Sequence, residues 1–437
     1  MPLLDKLRAI VGPTHVLTGV ERSPYVLEGR TPEAAVLPGS VEEVAAVVVQ
    51  AAEAGVPIVP WGGGSAVGVG VPPARAGLVL VLTRLAAVVE HEPGDLTATA
   101  QAGITLGALQ GALRSRGQWL SLDPPDGARA TLGGVLAANA SGPRRHLYGT
   151  ARDVLIGVTV VTADGAIVRG GGKVVKNVAG YDLPKLFIGS YGTLGVIVEA
   201  TVKLRPIPDD ERLVAVRFER FDEAAAALRA LLTSDLIPNA VELLDTASGG
   251  GLGLPLAPAT LVVGFDGLGE QVDWQVAELA NVVVPCGGGK PVGLPSSTWE
   301  PLAAAPRDAF AAPAAIMTLS VLPAAVVDTM EQGAATAREH GLASAWCAHA
   351  GVGHVTATLR VEEHRADPAP VAAVLERWRA AARAGGGHAS VTWAPLPVKE
   401  ALPVWDDAGA AGRLMQRIKA QLDPNNLLNP GRFVGGI

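Results

Sequence analysis

Cysteine is nearly absent: Cys286 and Cys347 stand far apart in a chain of 437 residues. Two such residues exclude a disulfide framework, a cysteine-built zinc site and an iron–sulfur cluster held by this chain alone. Each reads as a small packed apolar residue. Clustered Lys and Arg are also missing, and the net charge is -7 with a pI near 5.7. Nucleic acid and anionic membrane surfaces both want basic patches, so neither is an expected partner. No run of about 18 apolar residues occurs, so no transmembrane segment is expected. The start, MPLLDKLRAIVGP, carries Asp5 and lacks the apolar stretch and cleavage site of a signal peptide. These absences predict a soluble, cytoplasmic protein. No G-x-G-x-x-G opens a helix and no GxxxxGK[ST] occurs, which argues against a Rossmann site and a P-loop.

What is present is core-forming material. Hydrophobic residues make up 49% and charged residues 18%, the opposite of a disordered composition. With 53 Gly and 33 Pro the chain is loop-rich, and its length suggests two or three units. Ser40 and Glu43 have capping-box spacing, and Val41, Val44, Val47 and Val48 share a face, predicting a helix over 40–54 ended by Gly55. Strands are predicted at VPIVPW, at 78–82 (LVLVL), at 96–103 with one face buried, and at 192–206. A helix is predicted over 105–117, and a hairpin over 154–170 turning at Asp164–Gly165. Beyond Pro206 the texture changes to longer loops with Pro and Gly clusters, marking a second domain. Leu414, Ile418 and Leu422 mark a last helix before DPNNLLNPGRF.

Three stretches carry chemistry. PWGGGSAVGVG (60–70) follows a strand. Consecutive glycines there let backbone N–H groups converge on an anion such as a pyrophosphate, since glycine reaches positive φ and crowds nothing. Residues 123–153 hold the turns Thr131-Leu-Gly-Gly134 and Ala140-Ser-Gly142, free of bulk as if packed on something flat. In 176–197, Gly189, Gly192 and Gly195 recur before a strand.

In this order and spacing, with Tyr148-Gly149 and Lys176-Asn177, residues 36–206 resemble the FAD-binding domain of the vanillyl-alcohol oxidase/p-cresol methylhydroxylase (PCMH) family. The resemblance implies an α+β, two-lobed fold. It comprises a PCMH-type FAD domain over 1–206 (core 36–206), an α+β cap domain over 207–400, and a C-terminal segment, 401–437, returning to cover the flavin. It implies that Gly62, Gly63, Gly64, Ser65 and Ala66 cradle the pyrophosphate. Thr131, Gly133, Gly134, Ser141, Gly142 and Tyr148 would line the ribityl and isoalloxazine side. Val196 and Ile197 would offer backbone groups to the adenosine half, and Asn429 would sit near the ring. Flavoproteins of this fold that attach FAD through a His in the glycine loop find no counterpart between Pro60 and Gly70, so FAD is expected to be non-covalent.

The hydroxyacid dehydrogenases of this family carry a motif resembling H-x-G-D-G-N-x-H and a later E-H pair that hold a metal and the substrate carboxylate. Here AHAGVGHVTATL (348–359) keeps His349, Gly351 and Gly353, but Val352, His354 and Thr356 replace its Asp, Asn and last His. His388 in GGGHASVTWAP has no Glu beside it. His349, His354 and His388 remain as catalytic candidates, and three His can hold zinc. The preferred expectation is a worn motif with surface histidines and no metal, because the carboxylate contribution is gone. The layout resembles the FAD-binding E-type subunits of bacterial glycolate oxidase, which implies glycolate oxidation to glyoxylate in a complex with a catalytic sibling flavoprotein and an iron–sulfur subunit. The complex could bring the chain to the inner membrane peripherally. Two other readings stand beside it: a self-sufficient FAD-dependent 2-hydroxyacid dehydrogenase of the D-lactate type, and a flavin-binding subunit without redox duty.

Overall fold

Val44, Val47, Val48 and Ala51 face one way along the helix Val41–Ala54, and all are fully buried. Ser40 accepts a hydrogen bond from the Glu43 N–H at 3.1 Å, and Gly55 closes the helix in the left-handed region. This helix covers a four-stranded sheet ordered Val16–Leu17, Ala34–Val36, Leu78–Val81, Ile58–Trp61. Its last three strands run parallel and read as unbroken apolar runs, as buried parallel strands do. The computed structural model describes residues 2–73, 75, 77–173, 181–361 and 367–437. Lys176 and Asn177 lie outside the described residues.

A second sheet, five-stranded and antiparallel, orders Val88–Glu92, Thr97–Gln101, Val196–Lys203, Leu155–Val161 and Ile167–Gly171. Sequence alternation made 96–103 a half-buried strand. In fact Thr97 and Thr99 are buried as well as Ala98 and Ala100, and the Thr99 and Thr201 hydroxyls hydrogen-bond each other at 2.9 Å. The predicted hairpin is present with a wider turn. Val161 pairs with Ile167, and Asp164 accepts from both the Thr162 hydroxyl and the Ala166 N–H.

Beyond Pro206 the chain builds one eight-stranded sheet, more regular than the Pro and Gly clusters of that region suggested. Its order is Val292–Leu294, Asp210–Phe218, Ala259–Gly267, Ala240–Asp245, Leu342–His349, His354–Val361, Ala315–Ser320, His388–Trp393. One face is covered by amphipathic helices. Ala224, Ala227, Leu228 and Leu231 of Phe221–Leu232 recur at helical spacing, as do Val371, Val374, Leu375 and Trp378 of Ala369–Ala384. The opposite face carries a smaller core around Trp299 and Leu302 and, beside it, residues that share a cavity with the first lobe.

The C-terminal segment does return. Leu428 pairs with Ile58 at the edge of the four-stranded sheet, and Asn429 N donates to Ile58 O at 2.9 Å. Lys419 fastens it from the helix Gly412–Leu422 by donating to Asp423, Thr193 O and Leu428 O. A buried ammonium with all three donors filled is stable where an unpaired one is not.

Candidate functional site

The strand Ile58–Trp61 runs into residues 62–66 opposite the start of the helix Leu132–Ala138. Thr131 caps that helix, its Oγ1 accepting from Gly134 N at 3.3 Å. A Cβ on Gly62 would stand 2.1 Å from this Oγ1, and one on Gly63 1.7 Å from the Arg129 carbonyl oxygen. These two glycines are required by close packing; of the three in the loop only Gly64 takes a positive φ, which corrects the reason given for them from sequence. The narrow cleft so formed is walled by Gly62, Gly63, Gly64, Ser65, Ala66, Thr131, Gly133, Gly134, Ala137 and Ile197, and closed by Tyr191, Asn429 and Arg432. Burial pushes the Tyr191 phenol up to about 12. Asn429 donates through Nδ2 to Tyr191 O at 2.7 Å, yet its Oδ1 is buried without a partner. Ser141 Oγ, in the space next to this cleft, is buried and partnerless too.

The cleft opens, through shared Ser65, Ala66, Ala138 and Tyr191, into a cavity of about 590 Å³ between the lobes. Two members of one row of the eight-stranded sheet, His349 and His354, line it. Glu242 lies opposite His349, His349 opposite His354, His354 opposite Ser320, and Ser320 opposite His388. Directly opposed residues share a face, so the row presents its polar side chains together while Leu243, Ala348, Val355, Leu319 and Ala389 enter the helical core. Thr318, Thr356 and Ser390 extend the same polar surface. The alternation in HVTATL is what aims it.

Glu242 is fully buried, and both its oxygens meet Nδ1 of His349, at 2.7 and 2.9 Å. Burial pushes the Glu242 carboxyl above its ordinary range, and His349 pulls it back. The His349 and His354 rings stack at 5.5 Å between centroids. Burial holds His354 well below its ordinary value, with Arg145 adding to the effect, so it stays neutral. Cys347 is buried beside Glu242, and burial raises its thiol. Nδ1 of His349 being taken, Nε2 is the nitrogen left for the cavity.

Ion pairs clamp the lobes around this space. Arg144 forms two 2.8 Å bonds to Glu211, reaches Asp123, and lies 3.6 Å over the Trp299 ring. Arg307 grips Asp126 at 2.6 and 3.1 Å. Lys399 holds Glu28 and the carbonyls of Gly68 and Gly70 in the glycine-rich stretch.

The residues singled out from sequence fall in different places. Tyr148 does not line the cleft: its hydroxyl donates to Asp266 at 2.6 Å and its ring packs on Trp119 between the lobes. Gly142 is small because a Cβ would meet Asp123 O at 1.9 Å. The Val196 side chain enters the core and its strand pairs with Val161, while Ile197 lines the cleft, which leaves the backbone role expected of both in place. The histidines are not all on the surface: His349 and His354 line the cavity, and only His388 is exposed. His388 sits two strands from His354, roughly 10 Å by strand spacing. Nor is the carboxylate gone, since Glu242 supplies it from a distant strand. Among the described residues, no group of three or more His, Cys, Asp or Glu is placed to hold a metal. Sequence reasoning missed Glu242, Arg145, Tyr191 and Arg432. A glutamate inside the apolar strand AVELLD was the available signal for the first.

Comparison with known proteins agrees with this geometry. Residues 32–171 match the family described as FAD binding domain, and 207–433 the one described as FAD linked oxidases, C-terminal domain. Over 424 residues the chain is 32% identical to glycolate oxidase subunit GlcD of Bacillus subtilis (strain 168), covering 92% of this chain and 89% of that one. Over 122 residues it is 45% identical to glycolate oxidase subunit GlcE of Escherichia coli (strain K12), 28% of this chain and 35% of the other. The solved structure of p-cresol methylhydroxylase with substrate bound superposes with a TM-score of 0.78 at 21% identity, covering 100% and 96% of the two chains, and shares the fold. No helix among the described residues is long and apolar enough to cross a membrane.

Proposed function

This chain belongs to the FAD-linked oxidases, and from that premise we propose that it oxidises a small 2-hydroxyacid of the glycolate class as one subunit of an oxidase complex. The observation that carries the proposal is the His349–Glu242 pair, facing a cavity continuous with the glycine-walled cleft. The cleft fits its cofactor. It is walled by Gly62, Gly63 and Gly133, where a Cβ would clash, and it offers the buried, partnerless Asn429 Oδ1, with the equally partnerless Ser141 Oγ in the adjoining cavity. Gly62 to Ala66 would hold the pyrophosphate, and Thr131, Gly133 and Gly134 the neighbouring stretch.

Bound FAD supplies the acceptor for the hydride leaving C2 of the hydroxyacid. The chain supplies the base. Nε2 of His349 takes the hydroxyl proton, and Glu242 behind Nδ1 fixes the ring and stabilises the charge that develops on it. His354 stacks against that ring without adding a competing charge. The clamps Arg144–Glu211 and Arg307–Asp126 hold the two lobes in register across the site.

Turnover would also need an outlet for two electrons. The two cysteines are separate, one buried and one partly so, and supply no cluster of their own. A sibling flavoprotein, which the likeness to the subunits GlcD and GlcE supports, and an iron–sulfur subunit, which the resemblance of the sequence implies, would serve as partners. The test is co-expression with such partners, pull-down, and glycolate-dependent dye reduction with and without His349→Ala in this chain. Co-purification with activity lost in the variant supports the proposal. Unchanged activity in the variant would mean that substrate is oxidised elsewhere.

A further inference from the structure

Arg144 and Arg145 are sequence neighbours with opposite fates. Arg144 fills its guanidinium with Glu211 and Asp123 and is sandwiched on Trp299. Arg145 opens the short helix Arg145–Tyr148 and lines the cavity, and among the described residues its guanidinium has no hydrogen-bond or ion-pair partner. The two other charged side chains of the cavity wall, Arg307 and Asp308, are paired with each other and with Asp126. Glu242 and Asp123 are near enough for Arg145 to feel their charge. Neither is free to bind it: Glu242 is committed to His349, and Asp123 to Arg144. A half-buried guanidinium with unfilled donors wants an anion, and its planar fork matches a carboxylate.

We propose that Arg145 receives the carboxylate of the substrate, and that, being alone, it makes the cavity selective for monocarboxylic over dicarboxylic 2-hydroxyacids. This inference rests on the hydroxyacid reading above. A carboxylate on Arg145 leaves the hydroxyl to His349, on the facing sheet. A second carboxylate would find no second cation to pair with: the neutral His354, the filled Arg307, and only uncharged side chains such as Thr318, Thr356 and Ser390 beside Phe310 and Ile316. Burying an unpaired charge there is unfavourable.

The test uses the full chain loaded with FAD and two probes that cannot be oxidised through a free hydroxyl and carboxylate together: methoxyacetate, and the neutral glycolamide. Calorimetry on wild type, Arg145→Gln and Arg145→Lys is the readout, with flavin absorbance confirming equal FAD content. The expected result is methoxyacetate binding about 10- to 100-fold weaker in Arg145→Gln, partly restored in Arg145→Lys, with glycolamide binding unmoved. Glycolate turnover should show the loss mainly in KM. If wild type binds methoxyacetate and both variants bind it equally well, the Arg145 assignment is wrong while the hydroxyacid reading stands. Binding of malate as tight as that of methoxyacetate overturns the selectivity. If wild type binds no monocarboxylate and its flavin is reduced by no hydroxyacid, both readings fall.

Discussion

Glu242→Gln is the substitution that most sharply probes the chemistry. Glutamine keeps the size of the side chain and removes only its capacity for charge. In the protein the carboxylate oxygens lie 2.7 and 2.9 Å from Nδ1 of His349, so the carboxylate and the imidazolium formed on proton uptake would be about 4 Å apart between charge centres. At an effective dielectric near 20 their attraction is about 4 kcal/mol, or about three decades in rate. The amide can also flip and donate to Nδ1, which presents the wrong tautomer to the cavity and works in the same direction. Stability should hold or rise, because burial penalises the charged carboxyl and the amide escapes that penalty. The assay is single-turnover reduction of the flavin by glycolate, followed by stopped-flow absorbance beside a melting curve. A variant that keeps its FAD and reduces at the wild-type rate would refute the role given to the His349–Glu242 pair.

Three further outcomes follow from the same structure. Ser141→Ala removes a buried hydroxyl that has no partner in the protein. It should leave the stability of the apoprotein unchanged while weakening FAD binding by roughly 3- to 10-fold in a fluorescence titration; unaltered affinity would take Ser141 out of the flavin site. Asp245 caps the helix Thr246–Gly251, and burial pushes its carboxyl up to about 6. Because the folded value lies above the unfolded one, its favourable share of stability is present at low pH and lost as pH rises from about 4 through about 6, up to roughly 3 kcal/mol. Asp245→Asn keeps the cap and should flatten that part of the stability–pH curve, a parallel curve being the refuting result. Lys419→Met strips Asp423 of its buried partner and should cost about 3–5 kcal/mol, loosening the C-terminal segment to protease first; a melting curve like that of wild type would show the contact to be unimportant.

The first lobe was legible because its signals are local. Ser40, Glu43 and Gly55 announce their helix within sixteen positions, and Thr131 and Thr105 each cap one. The glycine loop, the Thr131–Gly134 turn, Gly192 and Gly195 wall one cleft. What sequence could not reveal is long-range register. Glu242 and His349 are 107 positions apart and meet only because the strands Ala240–Asp245 and Leu342–His349 pair in one register. The same row separates His388 from His354 by a strand, which spacing alone hid. Tyr148 and Gly142 were placed by their neighbours in the motif, whereas Asp266 and the Asp123 carbonyl determine where they lie. Arg145 was invisible beside Arg144 for a similar reason: only the fold tells a filled guanidinium from an open one.

The central claim, that substrate is oxidised at this chain's own flavin, is tested most directly by anaerobic mixing of the FAD-loaded protein with glycolate while the visible absorbance of the oxidised flavin is recorded. The account predicts bleaching that saturates with glycolate, yields glyoxylate in step, and disappears in His349→Ala with FAD still bound. A flavin that dithionite bleaches, but that glycolate and D-lactate leave oxidised even with the partner subunits present, would contradict it.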